Sequence, residues 1–125
     1  MELKDCRLLI VDDDELLREV LVEIFTDSVC DILEASNGQM AFDLIQTKKP
    51  HVVISDVRMP NGDGVFLAQK VHELEGEKPL FFICSGHNDL TTEIIKKFNI
   101  LHVFEKPFDS IKIIEIIASH VKSSS

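Results

Sequence analysis

The sequence lacks nearly everything that would mark it for export, for a membrane or for nucleic acid. No apolar run approaches the roughly 20 residues that a membrane-spanning helix needs. Met1-Glu2-Leu3-Lys4-Asp5 has neither the basic start nor the apolar stretch of a secretory signal, so a cytoplasmic location without membrane insertion is expected. Three cysteines, Cys6, Cys30 and Cys84, cannot all pair within one chain, and none has a neighbour at metal-ligand spacing; they read as buried free thiols. A formal charge of -9 argues against direct nucleic-acid binding, because phosphate contacts need clustered Lys and Arg. No linker or internal repeat interrupts the chain, and only residues 122–125 form a polar tail. What is present, 125 residues with 45% apolar and 28% charged, suits one domain over 1–125 with its own core.

Five short apolar runs alternate with helical patterns, the signature of βα units that build a parallel sheet covered on both faces. The predicted strands are 7–11, 30–35, 51–55, 79–84 and 101–104, rich in Val, Ile, Leu and Phe with little alternation. Leu16, Leu17, Val20, Leu21, Ile24 and Phe25 recur at helical spacing behind a run of acids that suits a helix N-terminus. Asn37-Gly38, Asp63-Gly64, Asn88-Asp89 and Asp109-Ser110 each offer a side-chain oxygen to the first turn of a later helix.

In open α/β sheets, ligands bind outside the carboxyl ends of the strands. There the sequence supplies Asp12 and Asp13 after the first strand, Asp56 after the third, Ser85 after the fourth and Lys106 after the fifth. Three carboxylates brought together repel one another unless some take up protons or a cation gathers them. Mg2+ meets that need, since it prefers oxygen ligands and typically combines one or two carboxylates with phosphate oxygens. Asp56 beside such a Lewis acid can attack a phosphoryl donor and form an acyl phosphate. The Lys106 ammonium and Ser85 hydroxyl would then stabilise the phosphoryl oxygens as they gain charge. Taken singly, Asp56 reads as a turn residue, Ser85 as a loop hydroxyl and Lys106 as a solvated charge; their joint placement favours chemistry. Asp14 and Glu15 read as helix N-terminal acids and Asp63 as a cap.

Val11-Asp12-Asp13, Asn37-Gly38, Asp56-Val57-Arg58-Met59-Pro60 with Asp63-Gly64, Ser85-Gly86 and Lys106-Pro107-Phe108 together resemble the receiver family of two-component response regulators, which includes single-domain chemotaxis regulators. The resemblance covers essentially the whole chain. It implies a three-layer, doubly wound, flavodoxin-like α/β fold with a five-stranded parallel sheet of order 2-1-3-4-5. It also implies phosphorylation at Asp56, and Mg2+ bound directly by Asp13, Asp56 and the Arg58 backbone carbonyl, with Asp12 acting mostly through water. Ser85 would be the switch hydroxyl, Lys106 the contact to the phosphoryl group, and Lys106-Pro107 a cis peptide. The implied partners are a histidine kinase or histidine phosphotransfer protein as donor and a downstream effector or fused output domain. Arg58, Gly86 and His87 fall at the rim of the pocket, where bulky Arg58 and His87 would shield an acyl phosphate from water.

The sequence departs from the family at Val103, three residues before Lys106, where an aromatic usually stands. Phe104 cannot substitute, because a one-residue step along a strand turns the side chain to the other face. Asn99 replaces a frequent Gly and, like Gly, suits a left-handed conformation. The apolar residues Ile111, Ile113, Ile114, Ile116, Ile117, Ala118 and Val121 span roughly 220° of the last helix, which means either a deeply seated helix or an interface with an effector or a second copy. A flavin protein of like topology is excluded, since Asp12-Asp13-Asp14 would repel its phosphate. Two alternatives stay open: a receiver-like interaction module without phosphorylation, and a Mg2+-dependent aspartyl phosphohydrolase. The second typically needs another acid two residues after its nucleophile, where Arg58 stands.

Overall fold

The computed structural model describes residues 1–86 and 90–124. After a 3-10 turn (Leu3–Asp5) come β1 (Arg7–Val11), α1 (Glu15–Phe25), β2 (Asp31–Ala35), α2 (Gly38–Lys48), β3 (Val52–Asp56), α3 (Gly64–His72), β4 (Leu80–Ser85), α4 (Thr92–Lys97), β5 (Ile100–Glu105) and α5 (Ser110–Ser123). All neighbouring strands pair in parallel, and the order is β2-β1-β3-β4-β5, as expected. Each strand keeps within one residue of its sequence-predicted bounds. At β3 and β4 the shift is toward the carboxyl side, so Asp56 and Ser85 are the last strand residues rather than loop residues.

The unbroken apolar runs are explained by burial on both faces. Leu8, Ile10, Val52, Ile54, Phe82 and Phe104 join α1 and α5 through Leu21, Phe25, Ile113, Ile117 and Val121. The alternate residues Leu9, Val11, Val53, Phe81 and Ile83 pack against α2 and α3 through Ala41, Ile45, Leu67, Ala68 and Val71, with Ile94 and Ile95 of α4 at the margin. This is the period of two of a pleated strand, with water excluded from both sides.

Side-chain oxygens start four helices where the sequence places them. Asp14 accepts from Leu16 and Leu17, Asn37 from Met40, Asp63 from Phe66, and Asp109 from Ile111 and Lys112. The fourth helix begins at Thr92, with the Thr91 hydroxyl as its cap accepting from the Ile94 amide, where the sequence points to Asn88-Asp89. Those two residues lie outside the described residues.

Helix α5 continues through Lys122 and Ser123 of the polar tail, with the Ser124 amide bonded to the His120 carbonyl. The seven apolar residues of α5 are mostly consumed by the core. Ile113, Ile117 and Val121 are buried, Ile114, Ile116 and Ala118 are half-buried against the same cluster, and Ile111 is 69% exposed. Cys6 and Cys84 are buried free thiols, but Cys30 is exposed: it precedes β2, an edge strand with no neighbour beyond it to cover its side. Asn99 adopts the left-handed conformation with φ 54, and Lys106-Pro107 is cis. Among the described residues, no helix is long and apolar enough to cross a membrane.

Candidate functional site

The carboxyl ends of β1, β3 and β5 bring four charged side chains together. One carboxylate oxygen from each of Asp12, Asp13 and Asp56 lies within 4.8 Å of the others. Lys106 follows β5, and its ammonium donates to Asp56 Oδ1 at 3.3 Å and stands 3.9 Å from Asp12 Oδ2. The Lys106 amide also bonds to the Ser85 carbonyl at 3.0 Å, so the chain leaves β5 in contact with the end of β4.

Backbone contacts hold Asp12 and Asp56 in place. The Asp12 amide donates to the Ala35 carbonyl of β2 at 3.1 Å, and Asp12 Oδ1 accepts from the Asp14 amide at 2.9 Å. Asp56 Oδ1 accepts from the Val57 amide at 2.9 Å. Behind Asp56, Gly64 opens α3 so closely that a Cβ there would lie 2.3 Å from the Asp56 carbonyl oxygen. Only glycine lets α3 begin in that place.

The electrostatics follow from burial and crowding. Asp12 is 1% exposed, and burial pushes its carboxyl above the ordinary value; Asp56 and Asp13 add to the rise, while the Asp14 amide and Lys106 oppose it. Asp13 is exposed and Asp56 half-buried, so the pocket opens on their side. Lys106 supplies one positive charge against three carboxylates, which leaves room for a further cation. The donors are hard oxygens, a set that fits Mg2+ and not a thiophilic metal. Cys84, opposite Asp56 in the β3–β4 register, belongs to the core beneath, where burial raises its thiol and keeps it protonated.

Among the remaining sequence-predicted residues, Ser85 is buried at the end of β4. Arg58 is exposed two residues after Asp56, and Gly86 is exposed: a Cβ there would meet nothing within 4 Å among the described residues. His87 lies outside the described residues. Val103 faces the α3–α4 side and packs half-buried against that cluster, whereas Phe104 faces α5 and stacks on Phe82 with ring centroids 5.9 Å apart. The two side chains thus point to opposite faces, as the strand period requires.

Sequence reasoning passed over Arg18. From the second turn of α1 its Nη1 donates to the Asp12 carbonyl at 2.8 Å, and its Nε pairs with Glu34 Oε1 of β2 at 3.0 Å. The available signal was a lone cation four residues after the capping Asp14, on a helix whose first turn must face the acid loop.

A model of the "Response regulator receiver domain" matches residues 8–118. Among curated relatives, sporulation initiation phosphotransferase F of Bacillus subtilis is 28% identical over 95% of this chain and 96% of its own length. The DNA-binding transcriptional regulator NtrC of Klebsiella pneumoniae is 32% identical over 80% of this chain but only 21% of its own length. Of solved structures, a CheY-like response regulator receiver domain from Methylobacillus flagellatus superposes with a TM-score of 0.79 at 24% identity, covering 97% of this chain and 99% of that one. The signal receiver domain of an HD domain-containing protein from Pseudomonas fluorescens Pf-5 gives 0.84 at 20% identity, covering 97% and 99%. Such structural likeness speaks for the fold alone. The family match extends from the second residue of β1 into α5 and so encloses every acid of the pocket together with Lys106; this chain belongs to the response-regulator receiver family, the signalling switches of two-component systems.

Proposed function

We propose that Asp56 accepts a phosphoryl group from a phosphohistidine donor, with Mg2+ held by Asp13, Asp56 and the Arg58 backbone carbonyl and assisted by Asp12. The observation that carries this reading is the convergence of three carboxylates within 4.8 Å with the Lys106 ammonium 3.3 Å from Asp56. Receiver domains generally bind Mg2+ and interact with histidine kinases and output domains. When bound, Mg2+ supplies positive charge next to the phosphoryl oxygens. An Asp56 carboxylate oxygen forms the new bond to phosphorus while the donor's N–P bond breaks, and the electron pair stays on the imidazole. Lys106 offsets the charge on the transferred group, and the Ser85 hydroxyl is the donor that turns toward it.

Exposed apolar residues stand on α1, which opens just after the acids, and on α5: Leu16 at 73%, Val20 at 45% and Ile111 at 69%, with Val20 and Ile111 lining one depression between the two helices. This α1–α5 surface, on the helix that begins right after Asp12 and Asp13, suits a histidine kinase or histidine phosphotransfer protein. Arg58 and Gly86, both exposed just beyond the strand ends that carry Asp56 and Ser85, are placed to set how readily water reaches the acyl phosphate. The protein works in the cytoplasm as a stoichiometric switch, limited to self-phosphorylation from small donors and slow autodephosphorylation, and it passes its state to an effector or a fused output domain.

Mass spectrometry after incubation with acetyl phosphate and Mg2+ tests the reading. A gain of one phosphoryl group is expected, absent in Asp56→Asn and in EDTA. An unmodified wild type would sink it in favour of a module without phosphorylation, and turnover of small phosphomonoesters would favour a phosphohydrolase.

A further inference from the structure

We propose that Arg18 is the positioning residue of the acid pocket: by joining the Asp12 carbonyl to Glu34, its guanidinium sets how the β1–α1 loop presents Asp12 and Asp13, and through that the affinity for a divalent cation. The proposal rests on the Mg2+ reading above and adds a residue that the reading does not use.

The carbonyl that Arg18 holds is the oxygen of the peptide unit between Asp12 and Asp13. Because that unit is planar, a hydrogen bond to its oxygen orients the whole plane and with it the Cα from which the Asp13 side chain departs. The bond is 2.8 Å long and comes from a guanidinium whose side chain is only 19% exposed. Asp12 has further anchors in its own amide bond to Ala35 and its carboxylate bond to the Asp14 amide. Asp13 is exposed, and the Asp12–Asp13 peptide is its direct tie to those anchors.

The other end of the clamp matters as much. Arg18 engages Glu34 through Nε at 3.0 Å while Nη1 reaches the carbonyl, so two N–H groups of one rigid plane are tied to two elements. A lysine ammonium carries the same charge but cannot reproduce that fork. Glu34 pairs with Ile10 in the β1–β2 register, which ties the loop to the edge strand as well as to its own helix.

Charge by itself predicts the opposite outcome. A guanidinium bonded to the Asp12 carbonyl adds positive charge beside the pocket and opposes the entry of another cation, so removing it should tighten metal binding if Arg18 acts only through its field. Positioning requires weakening. The sign of the change therefore separates the two roles.

The test is Mn2+ titration followed by electron paramagnetic resonance of the free ion, using wild type, Arg18→Ala, Arg18→Lys and Asp13→Asn, with thermal melts in EDTA alongside. Loss of one charge-assisted hydrogen bond should weaken Mn2+ binding about 10-fold in Arg18→Ala. Arg18→Lys, which keeps the charge and preserves most of the packing, should also bind more weakly than wild type. Wild-type or tighter affinity in either variant would overturn the proposal, including the case where only the melting temperature falls. If wild type binds no Mn2+, or Asp13→Asn binds it as well as wild type does, the metal reading itself fails and Arg18 has nothing to position.

Discussion

The pocket over β1 and β3 and the edge at β5 are built under different constraints. β1 and β3 are interior strands, paired on both sides, and the acids at their ends are fixed by backbone amides from the strands and loops around them. β5 is paired on one side only, and its ladder with β4 slips between Phe81 and Phe82. Its half-buried Val103 occupies a place where the family usually carries an aromatic. The motif residues at the strand ends follow the family, Lys106 after β5 included, and the departure at Val103 lies inside the edge strand itself. Phosphoryl chemistry needs positions good to fractions of an ångström, whereas an output surface has only to fit its own partner.

That contrast can be broken or sharpened experimentally. The largest effect is expected at Lys106→Ala, which should slow labelling by acetyl phosphate about 100-fold, as loss of a preorganised charge-stabilising donor does elsewhere. Stopped assays read by mass spectrometry measure it, and a rate close to wild type would remove Lys106 from the chemistry.

Next in size is the metal-free stability of Asp12→Asn. Burial and the neighbouring carboxylates raise the folded pKa of Asp12 above its ordinary value of 3.8. Its contribution to stability is therefore complete below that value and lost as pH rises through the folded value. In EDTA at neutral pH, Asp12→Asn, which keeps an acceptor for the Asp14 amide, should melt above wild type. The gap should close toward pH 4, and Mg2+ should stabilise wild type more than the variant. A lower melting temperature at neutral pH would contradict this account.

The β5 edge should respond with the opposite sign. Partial burial, with His120 and Lys112 nearby, depresses His102 below its ordinary 6.5. Its contribution is present above 6.5 and lost as pH falls through the lower folded value. His102→Gln should flatten the stability profile just below 6.5, a smaller change because His102 is exposed; an unchanged slope would assign the pH dependence elsewhere.

Smallest of all, Val103→Phe should leave the acetyl phosphate labelling rate at the wild-type level, since it changes the edge and not the pocket. A clear rate change would mean that the edge and the pocket are coupled.

Much of this was legible in the sequence, because strands buried on both faces leave unbroken runs such as Leu8-Leu9-Ile10-Val11, and Asp and Asn caps are chemically distinctive. The pocket was legible for a related reason: strand order and strand ends together dictate which residues meet. Less visible was whatever depends on local three-dimensional exposure. Thr91 caps α4 where Asn88-Asp89 was expected, because a threonine hydroxyl is a weaker sequence signal than an Asp or Asn oxygen. Cys30 sits on an edge that composition cannot reveal, and the breadth of the isoleucine face on α5 is consumed by two flanks of one core. Arg18 was hidden because its acceptor is a backbone carbonyl, which every residue possesses.

Asp56 has a solid wall behind it at Gly64, and the loop after β4 begins with the uncrowded Gly86, the doorway of the site. A methyl group at position 64 would collide with its carbonyl at 2.3 Å, while one at position 86 meets nothing within 4 Å among the described residues. Under the proposed function, evolution could retime the signal at the doorway without disturbing the architecture, while the wall tolerates no such tinkering. Relatives of this switch are then free to keep very different clocks on the same frame.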